Sequence, residues 1–144
     1  YYLFNPREQN GVSTSRGGPT SASSILYRSD VMSVPDQYMF RAGINVNFNR
    51  LTLSAGVRDE CVPARDAIGG SNGFRRPGYI VSVEPGLQYH IKGGMLYAFA
   101  PVAIVRNRTQ SVPDKIRTAE TGTYAIGDAA FADYLVNIGL AIQF

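Results

Sequence analysis

Alternation of apolar and polar residues with a period of two, which marks a strand with two unlike faces, recurs four times along the chain. Over residues 38–48 one face carries Tyr38, Phe40, Ala42, Ile44, Val46 and Phe48; the other carries Met39, Arg41, Gly43, Asn45 and Asn47. Leu51, Leu53, Ala55 and Val57 then alternate with Thr52, Ser54, Gly56 and Arg58. From Tyr79, the set Val81, Val83, Pro85, Leu87, Tyr89 and Ile91 is interleaved with Ile80, Ser82, Glu84, Gly86, Gln88, His90 and Lys92. The last run sets Tyr134, Val136, Ile138, Leu140, Ile142 and Phe144 against Leu135, Asn137, Gly139, Ala141 and Gln143. A fifth segment, 95–107, reads as a strand from its Tyr, Phe, Val and Ile content. Both of its faces are apolar through Val105, so its orientation stays open. Pro85 and Pro101 each remove a ladder donor, and a bulge is expected at both.

The connections alternate in length. Asn49-Arg50 and Gly93-Gly94 read as tight turns, whereas 5–36, 60–76 and 109–130 are long, polar and rich in Gly, Asp, Ser and Thr. That is the pattern of a transmembrane barrel, with short periplasmic turns and long extracellular loops. Counting back from Phe144 at the periplasmic side, every long connection falls outside and every tight turn inside. Tyr1 to Phe4 then form the top of one further ascending strand.

Alternation alone does not say whether the apolar face meets lipid or a soluble core. Aromatics decide for lipid: Tyr38 with Phe48, Tyr79 with Tyr89, and Tyr134 with Phe144 bracket the outward sets. Aromatic rings favour both membrane–water interfaces, and about ten tilted strand residues cross the hydrocarbon layer. The opposite face carries Arg41, Asn45, Arg58, Glu84, Gln88 and Asn137, a set suited to a wet or charge-paired lumen. The expected fold is therefore all-β, an antiparallel up-and-down transmembrane β-barrel, with 1–144 as a single segment supplying its C-terminal strands. About six strands are counted where closed single-chain barrels need about eight or more. Strands upstream or from other chains would close the sheet. The alternative is an eight-stranded barrel in which Ser24 to Met32 adds short strands.

Composition leaves this reading standing and removes others. The chain has 144 residues, 44% hydrophobic and 17% charged, with a mean hydropathy of -0.10; a barrel and a soluble domain both fit, because alternate barrel residues face water. The longest apolar run, Ala98 to Val105, is too short for a spanning helix. The net charge is +3 and the pI about 9.2. Lysine occurs only at Lys92 and Lys115, and the arginines are scattered, which argues against a nucleic-acid partner. Cys61, the only cysteine, allows no internal disulfide. No charged-then-apolar signal segment opens the chain.

The stretch from Tyr134 to Phe144 resembles the C-terminal signal by which outer-membrane proteins are recognised for insertion. Residues 69–79, 106–115 and 127–134 resemble stretches of uncharacterised outer-membrane proteins of the Bacteroidota, described as transporters of unknown substrate. The resemblance covers 38–144. It implies a Gram-negative outer membrane, with the lipid bilayer and the barrel-assembly machinery as partners, and carries over no catalytic or ligand residue.

The expected function is a passive channel or transporter component for small polar solutes, with Arg41, Arg58 and Glu84 facing water. A structural barrel bound to an envelope protein partner is the alternative, and an outer-membrane hydrolase a more distant one. Ser82, Glu84 and His90 share a strand face, but at about 3.3 Å per residue Ser82 lies roughly 26 Å and Glu84 roughly 20 Å from His90; catalysis needs hydrogen-bond contact. His90 instead reads as a solvated residue at the periplasmic rim. Arg58, Glu60, Arg65 and Asp66, with Arg75 and Arg76 nearby, could form an anion-attracting constriction or charge pairs that stiffen a loop. Gly69 to Gly73 lacks the Gly-Lys-Ser/Thr closure of a phosphate loop and reads as a flexible loop. Asp114, Glu120, Asp128 and Asp133 lack calcium-loop spacing. No catalytic residue, metal or cofactor is assigned.

Overall fold

A computed structural model describes residues 1–129 and 131–143. Its strands are β1 (Tyr2–Leu3), β2 (Gln9–Ser13), β3 (Val31–Ser33), β4 (Gln37–Phe48), β5 (Leu51–Val62), β6 (Gly78–Ile91), β7 (Gly94–Phe99), β8 (Val102–Arg108) and β9 (Asn137–Ile142). Two helices, α1 (Ala22–Leu26) and α2 (Val112–Thr121), complete the element list. Seven strands form a mostly antiparallel sheet, curled as a half-barrel, in the order β1-β4-β5-β6-β7-β9, with β8 also on β6. The chain divides into two compact units: Tyr1–Tyr38, Cys61–Tyr79 and Asn107–Ala130 form the first, and Met39–Glu60, Ile80–Arg106 and Phe131–Phe144 the second.

The second unit holds the alternating runs. Asn49-Arg50 closes the β4–β5 hairpin, with Asn49 in the left-handed region at φ 54°. Asparagine tolerates that region better than most residues. The β6–β7 turn falls on Lys92-Gly93, one residue earlier than the sequence suggested, because Ile91 pairs with Gly94. Only Gly93 takes a positive φ there, 77°. His90 N–H donates to the Arg50 carbonyl at 2.8 Å, and Gln143 N–H to the Gly93 carbonyl at 3.0 Å. Both tight turns and the last described residues of β9's segment thus share one end of the sheet.

The register settles the orientation of 95–107. Leu87↔Ala98, Tyr89↔Leu96, Leu96↔Leu140 and Ala98↔Ile138 are directly opposed and so share the apolar face. Met95, Tyr97 and Phe99 share the other face with His90, Gln88, Gly86 and Gly139. The segment is two strands rather than one. β7 ends at Phe99 and β8 begins at Val102, interrupted at Ala100-Pro101. The bulge expected at Pro101 is a break without slip, since the Val102↔Tyr134 bridge keeps the β7–β9 register. Ala100 N–H donates to the Pro85 carbonyl at 3.0 Å. The two prolines therefore fall beside each other across the ladder, and one interruption accommodates both missing donors.

Phe99 lies against Gly86, and the Tyr97 ring against Gly139, each directly across a strand pair. A Cβ at either glycine would collide with the ring. Aromatic coverage of a strand glycine supplies the packing that the glycine lacks. Gly139→Val is expected to cost about 1–3 kcal/mol through this overpacking, measurable as a lowered urea midpoint; an unchanged midpoint would show that the ring moves aside freely.

The distribution of burial is inverted relative to a soluble domain. Among the described residues Ile80 is the one buried large hydrophobic, whereas Ser33, Asp36, Thr52, Arg75, Ser82, Glu84 and Ser111 are buried polar or charged. Ile44 is 69% exposed and Ile138 76% exposed, and Phe40, Val46, Leu53, Val57, Val83, Leu87, Leu140 and Ile142 are exposed with them. The apolar residues of the alternating runs do not gather into a core.

The first unit is more structured than its expected reading as polar loops. Within 5–36, β2 and β3 form their own two-stranded sheet. Of the segment Ser24 to Met32, considered as a source of extra barrel strands, Ser24 to Leu26 lie in α1, and Val31 and Met32 lie in β3, which pairs with β2 apart from the seven-stranded sheet. Ser21 caps α1 through Ser24 N–H. β5 carries the 60–76 connection as far as Val62. Within 109–130, α2 begins at a capping box of Ser111 and Asp114 with Pro113 in its first turn, and ends at Gly122 at φ 67°. These are ordinary start and stop signals. They outweigh the polar composition that suggested a loop. Tyr2↔Tyr38 and Leu3↔Gln37 tie β1 to the start of β4, as the sequence anticipates.

Candidate functional site

Three neighbouring strands of the second unit each place a charged residue on the polar face: Arg41 on β4, Arg58 on β5 and Glu84 on β6. Glu84 is 2% exposed. Arg41 makes a close ionic contact with its Oε1, without directed hydrogen-bond geometry. The Arg58 Nη1 lies 3.5 Å from Oε2, and Arg58 Nη2 donates to Glu60 Oε1 at 2.6 Å. The Arg41 guanidinium also sits 4.7 Å from the centroid of Phe99, a cation–π contact.

The electrostatic logic follows from burial. A carboxylate removed from water is costly unless opposed by positive charge. Two guanidiniums converge on Glu84, and Glu60 offsets the second of them. The four side chains are thus formally neutral together. Because Arg58 and Glu84 are largely withdrawn from solvent, the expectation that all three of Arg41, Arg58 and Glu84 face water is corrected. Arg41 alone is half exposed. The polar side is charge-paired here because two neighbouring cations on adjacent strands need a shared counter-ion.

Beside this cluster lies a cavity of about 240 Å3, lined by Arg41, Asn45, Ser54, Glu84, Gln88 and Phe99 together with the chain around Gly43 and Gly56. Ser54 Oγ and Arg58 Nε are buried without a hydrogen-bond partner. Asn45, Gln88 and Phe99 therefore join Arg41 and Glu84 around one space. Asn137 is exposed opposite Phe99, on the same face but outside that lining.

Of the interface aromatics, Tyr38, Phe48, Tyr89 and Tyr134 are exposed. Tyr79 is half-buried, and its hydroxyl accepts from Asn107 Nδ2 at 3.4 Å. Phe144 lies outside the described residues. Ser82 and Glu84 are buried on β6, Glu84 engaged by arginines, whereas His90 is exposed near the Arg50 turn. A single strand cannot fold these three into contact. Among the described residues no three His, Cys, Asp or Glu side chains approach closely enough to hold a metal ion.

The charge cluster read from Arg58 to Asp66 divides between the two units. Asp66 pairs with Arg75 inside the first unit, while Arg58 and Glu60 belong to the second. The Arg75 side chain is fully buried: Nη1 and Nη2 donate to the two Asp66 oxygens at 2.8 Å each, and Nε and Nη2 donate to Ser33 Oγ at 3.0 and 2.8 Å. Asp66 also accepts from Asp36 N–H at 3.0 Å, and Asp36 in turn accepts from Asn5 N–H at 2.7 Å and from the Tyr2 hydroxyl. For Asp66 and Arg75 the loop-stiffening reading is the observed one. Asn72 N–H donates to Glu8 Oε1 at 2.6 Å, and Gly70 lies against the same carboxylate. The glycine loop, expected to be free, wraps an internal anion.

Comparison with protein-family models, curated proteins and solved structures found no match for the chain. Function must come from the arrangement itself.

Proposed function

We propose that the chain forms part of a transmembrane β-barrel in a Gram-negative outer membrane, acting as a passive channel or transporter component for small polar solutes. The observation that carries this reading is the exposed apolar face of the second unit, with charge and amides on the opposite face. Burying such an apolar area in water-free surroundings is worth about 25 cal/mol per Å2, so a face this continuous is costly to leave in water. β4, β5 and β6, at 12, 12 and 14 residues, are also long enough to cross, since a spanning strand takes about 9–11. No described helix is long and apolar enough to cross a membrane, which says nothing of strands.

In this reading the polar face lines the lumen, and Arg41, Asn45 and Gln88 offer hydrogen bonds to a passing solute. Glu84 keeps the flanking arginines from acting as a purely anion-attracting ring. The lipid bilayer and the barrel-assembly machinery are the partners. Conductance or solute uptake by reconstituted full-length protein tests the function, and a sealed bilayer with no uptake overturns it. The paired, withdrawn state of Arg58 and Glu84 favours a second reading, a plugged structural barrel held by an envelope partner; a stable complex purified from native membranes, without conductance, would select it.

Ile44→Arg separates lipid from water at the apolar face. In a bilayer a mid-strand arginine costs about 2–4 kcal/mol, so folding into liposomes is expected to drop sharply, read by the gel-mobility difference between heated and unheated samples. On a water-facing surface the same change would be neutral and would raise solubility.

A further inference from the structure

The first unit contains a cavity that the barrel reading does not use. Its volume is about 730 Å3, and its walls come from β2 and its following turn, from β3 and Pro35, and from Val62 and Phe74 to Arg76. That size falls within the range of about 300–1,000 Å3 that encloses small organic ligands. The apolar part of the lining is Val12, Met32, Pro35, Val62 and Phe74.

The charged part is one-sided. Arg16, Arg75 and Arg76 line the cavity, and no carboxylate does. Arg75 is already neutralised by Asp66, with its remaining donors taken by Ser33 and the Pro63 carbonyl. Arg16 and Arg76 are exposed and take part in no ion pair among the described residues. The Arg76 guanidinium stands 5.7 Å from the Phe74 ring centroid, which ties one cation to the apolar wall. An apolar chamber bordered by two uncompensated guanidiniums complements a molecule with a greasy body and an anionic head.

We propose that this cavity binds a single-chain anionic amphiphile, its acyl or aryl body against Met32, Val62 and Phe74 and its carboxylate or phosphate held by Arg16 and Arg76. Guanidinium suits both head groups, because its paired N–H donors match two oxygens of either. The buried Arg75 acts as a scaffold for this wall. The Asp66–Arg75–Ser33 lock holds the Ser33 and Phe74 segments side by side in one wall of the chamber, with Ser33 N–H donating to the Phe74 carbonyl at 2.9 Å. This site stands on the first unit alone and does not depend on the membrane reading.

Photolabelling of the full-length protein with a diazirine-bearing decanoate tests the proposal, since it locates the ligand even in the presence of detergent. Cross-links are expected on peptides containing Val12, Met32 and Phe74. Decanoate or decyl phosphate should compete, whereas 1-decanol and inorganic phosphate alone should compete at least tenfold more weakly. Stronger competition by decanoate would identify a free acyl carboxylate, and stronger competition by decyl phosphate a phosphate head group as in a lipid. Arg16→Ala with Arg76→Ala is expected to lower labelling about tenfold; both residues are exposed, so folding should persist, which unchanged amide-exchange protection at Ser33 and Phe74 checks. Met32→Trp, which fills the chamber, should abolish labelling while the arginines remain. Labelling spread evenly over the apolar strand face, or equal competition by 1-decanol, would overturn the proposal. Failure of Ile44→Arg to disturb liposome insertion would refute the barrel without touching this result.

Discussion

Glu84→Gln is expected to lower the stability of the second unit by about 3 kcal/mol, the lower end of what breaking one side of a buried ion pair costs. The carboxylate is almost fully buried and is shared by Arg41 and Arg58. Glutamine keeps the shape and one hydrogen-bond acceptor but leaves two guanidiniums facing each other with one counter-ion fewer. Arg41, half exposed, can turn towards water, and Arg58 keeps Glu60 at 2.6 Å. Those two escapes hold the cost at the lower end. The same substitution changes the formal charge of the four-residue cluster from neutral to +1, so under the channel reading the reversal potential in a salt gradient should shift towards anion preference. A double variant, Arg58→Met with Glu84→Leu, removes the two withdrawn members and leaves Arg41 and Glu60, the two more exposed ones, to solvent; it is expected to recover most of the stability, since well-packed apolar replacements of a buried pair are often neutral. Urea midpoints in liposomes and bilayer reversal potentials are the measurements. A fully stable Glu84→Gln protein with unchanged selectivity would mean that the carboxylate does not compensate the arginines.

Strand positions were readable because a two-residue period is a local property. β4 was anticipated within one residue at its start, and β6 within one at each end, since Tyr, Val and Ile alternate there without competing signals. Residues 95–107 were not resolvable from pattern, because Tyr97 and Phe99 are apolar yet belong to the polar face. Their reason for being there is not solvent preference. Each covers a glycine on a neighbouring strand, Gly139 and Gly86. Cross-strand partners are set by register, which the local sequence does not state. The same explains how Arg41 and Arg58 could be assigned to the polar side while their convergence on a buried Glu84 could not.

In the first unit the misses have a different cause. α2 carries a legible signature, Ser111 and Asp114 three apart with Pro113 between and Gly122 beyond, but a polar composition between two strands suggests a loop just as readily. Gly69 to Gly73 suggests a flexible loop, because glycine lacks side-chain contacts. Here that lack is what lets the backbone close on Glu8. The Asp66–Arg75 pair joins residues nine apart in sequence through a loop whose path no periodicity describes. Long polar segments conceal such locks, since a buried arginine and a solvated one have the same letter.

Arg75→Met should produce the largest loss in the first unit, about 3–5 kcal/mol, because it leaves the Asp66 carboxylate buried without its cation. Both oxygens of Asp66 receive a guanidinium nitrogen at 2.8 Å, and the side chain of Asp66 is only 3% exposed. Among the described residues, the Asp36 N–H at 3.0 Å would then be the carboxylate's remaining hydrogen-bond donor. Arg75→Lys is expected to recover little, since a single ammonium cannot span both oxygens and Ser33 Oγ in one fork. By contrast, Asp66→Leu with Arg75→Met removes the charge pair together and should fall well short of the sum of the single losses. The loss should appear first as local opening: faster amide exchange at Phe74 and Ser33, whose N–H groups donate to the Val31 and Phe74 carbonyls, and faster tryptic cleavage after Arg65. Equal exchange rates in wild type and Arg75→Met would show that the β3 and Phe74 segments hold together without the ion pair. Because this lock braces one wall of the amphiphile cavity, photolabelling of Phe74 should fall in step with the exchange protection in Arg75→Met, while Arg16→Ala should lower labelling and leave the exchange unchanged.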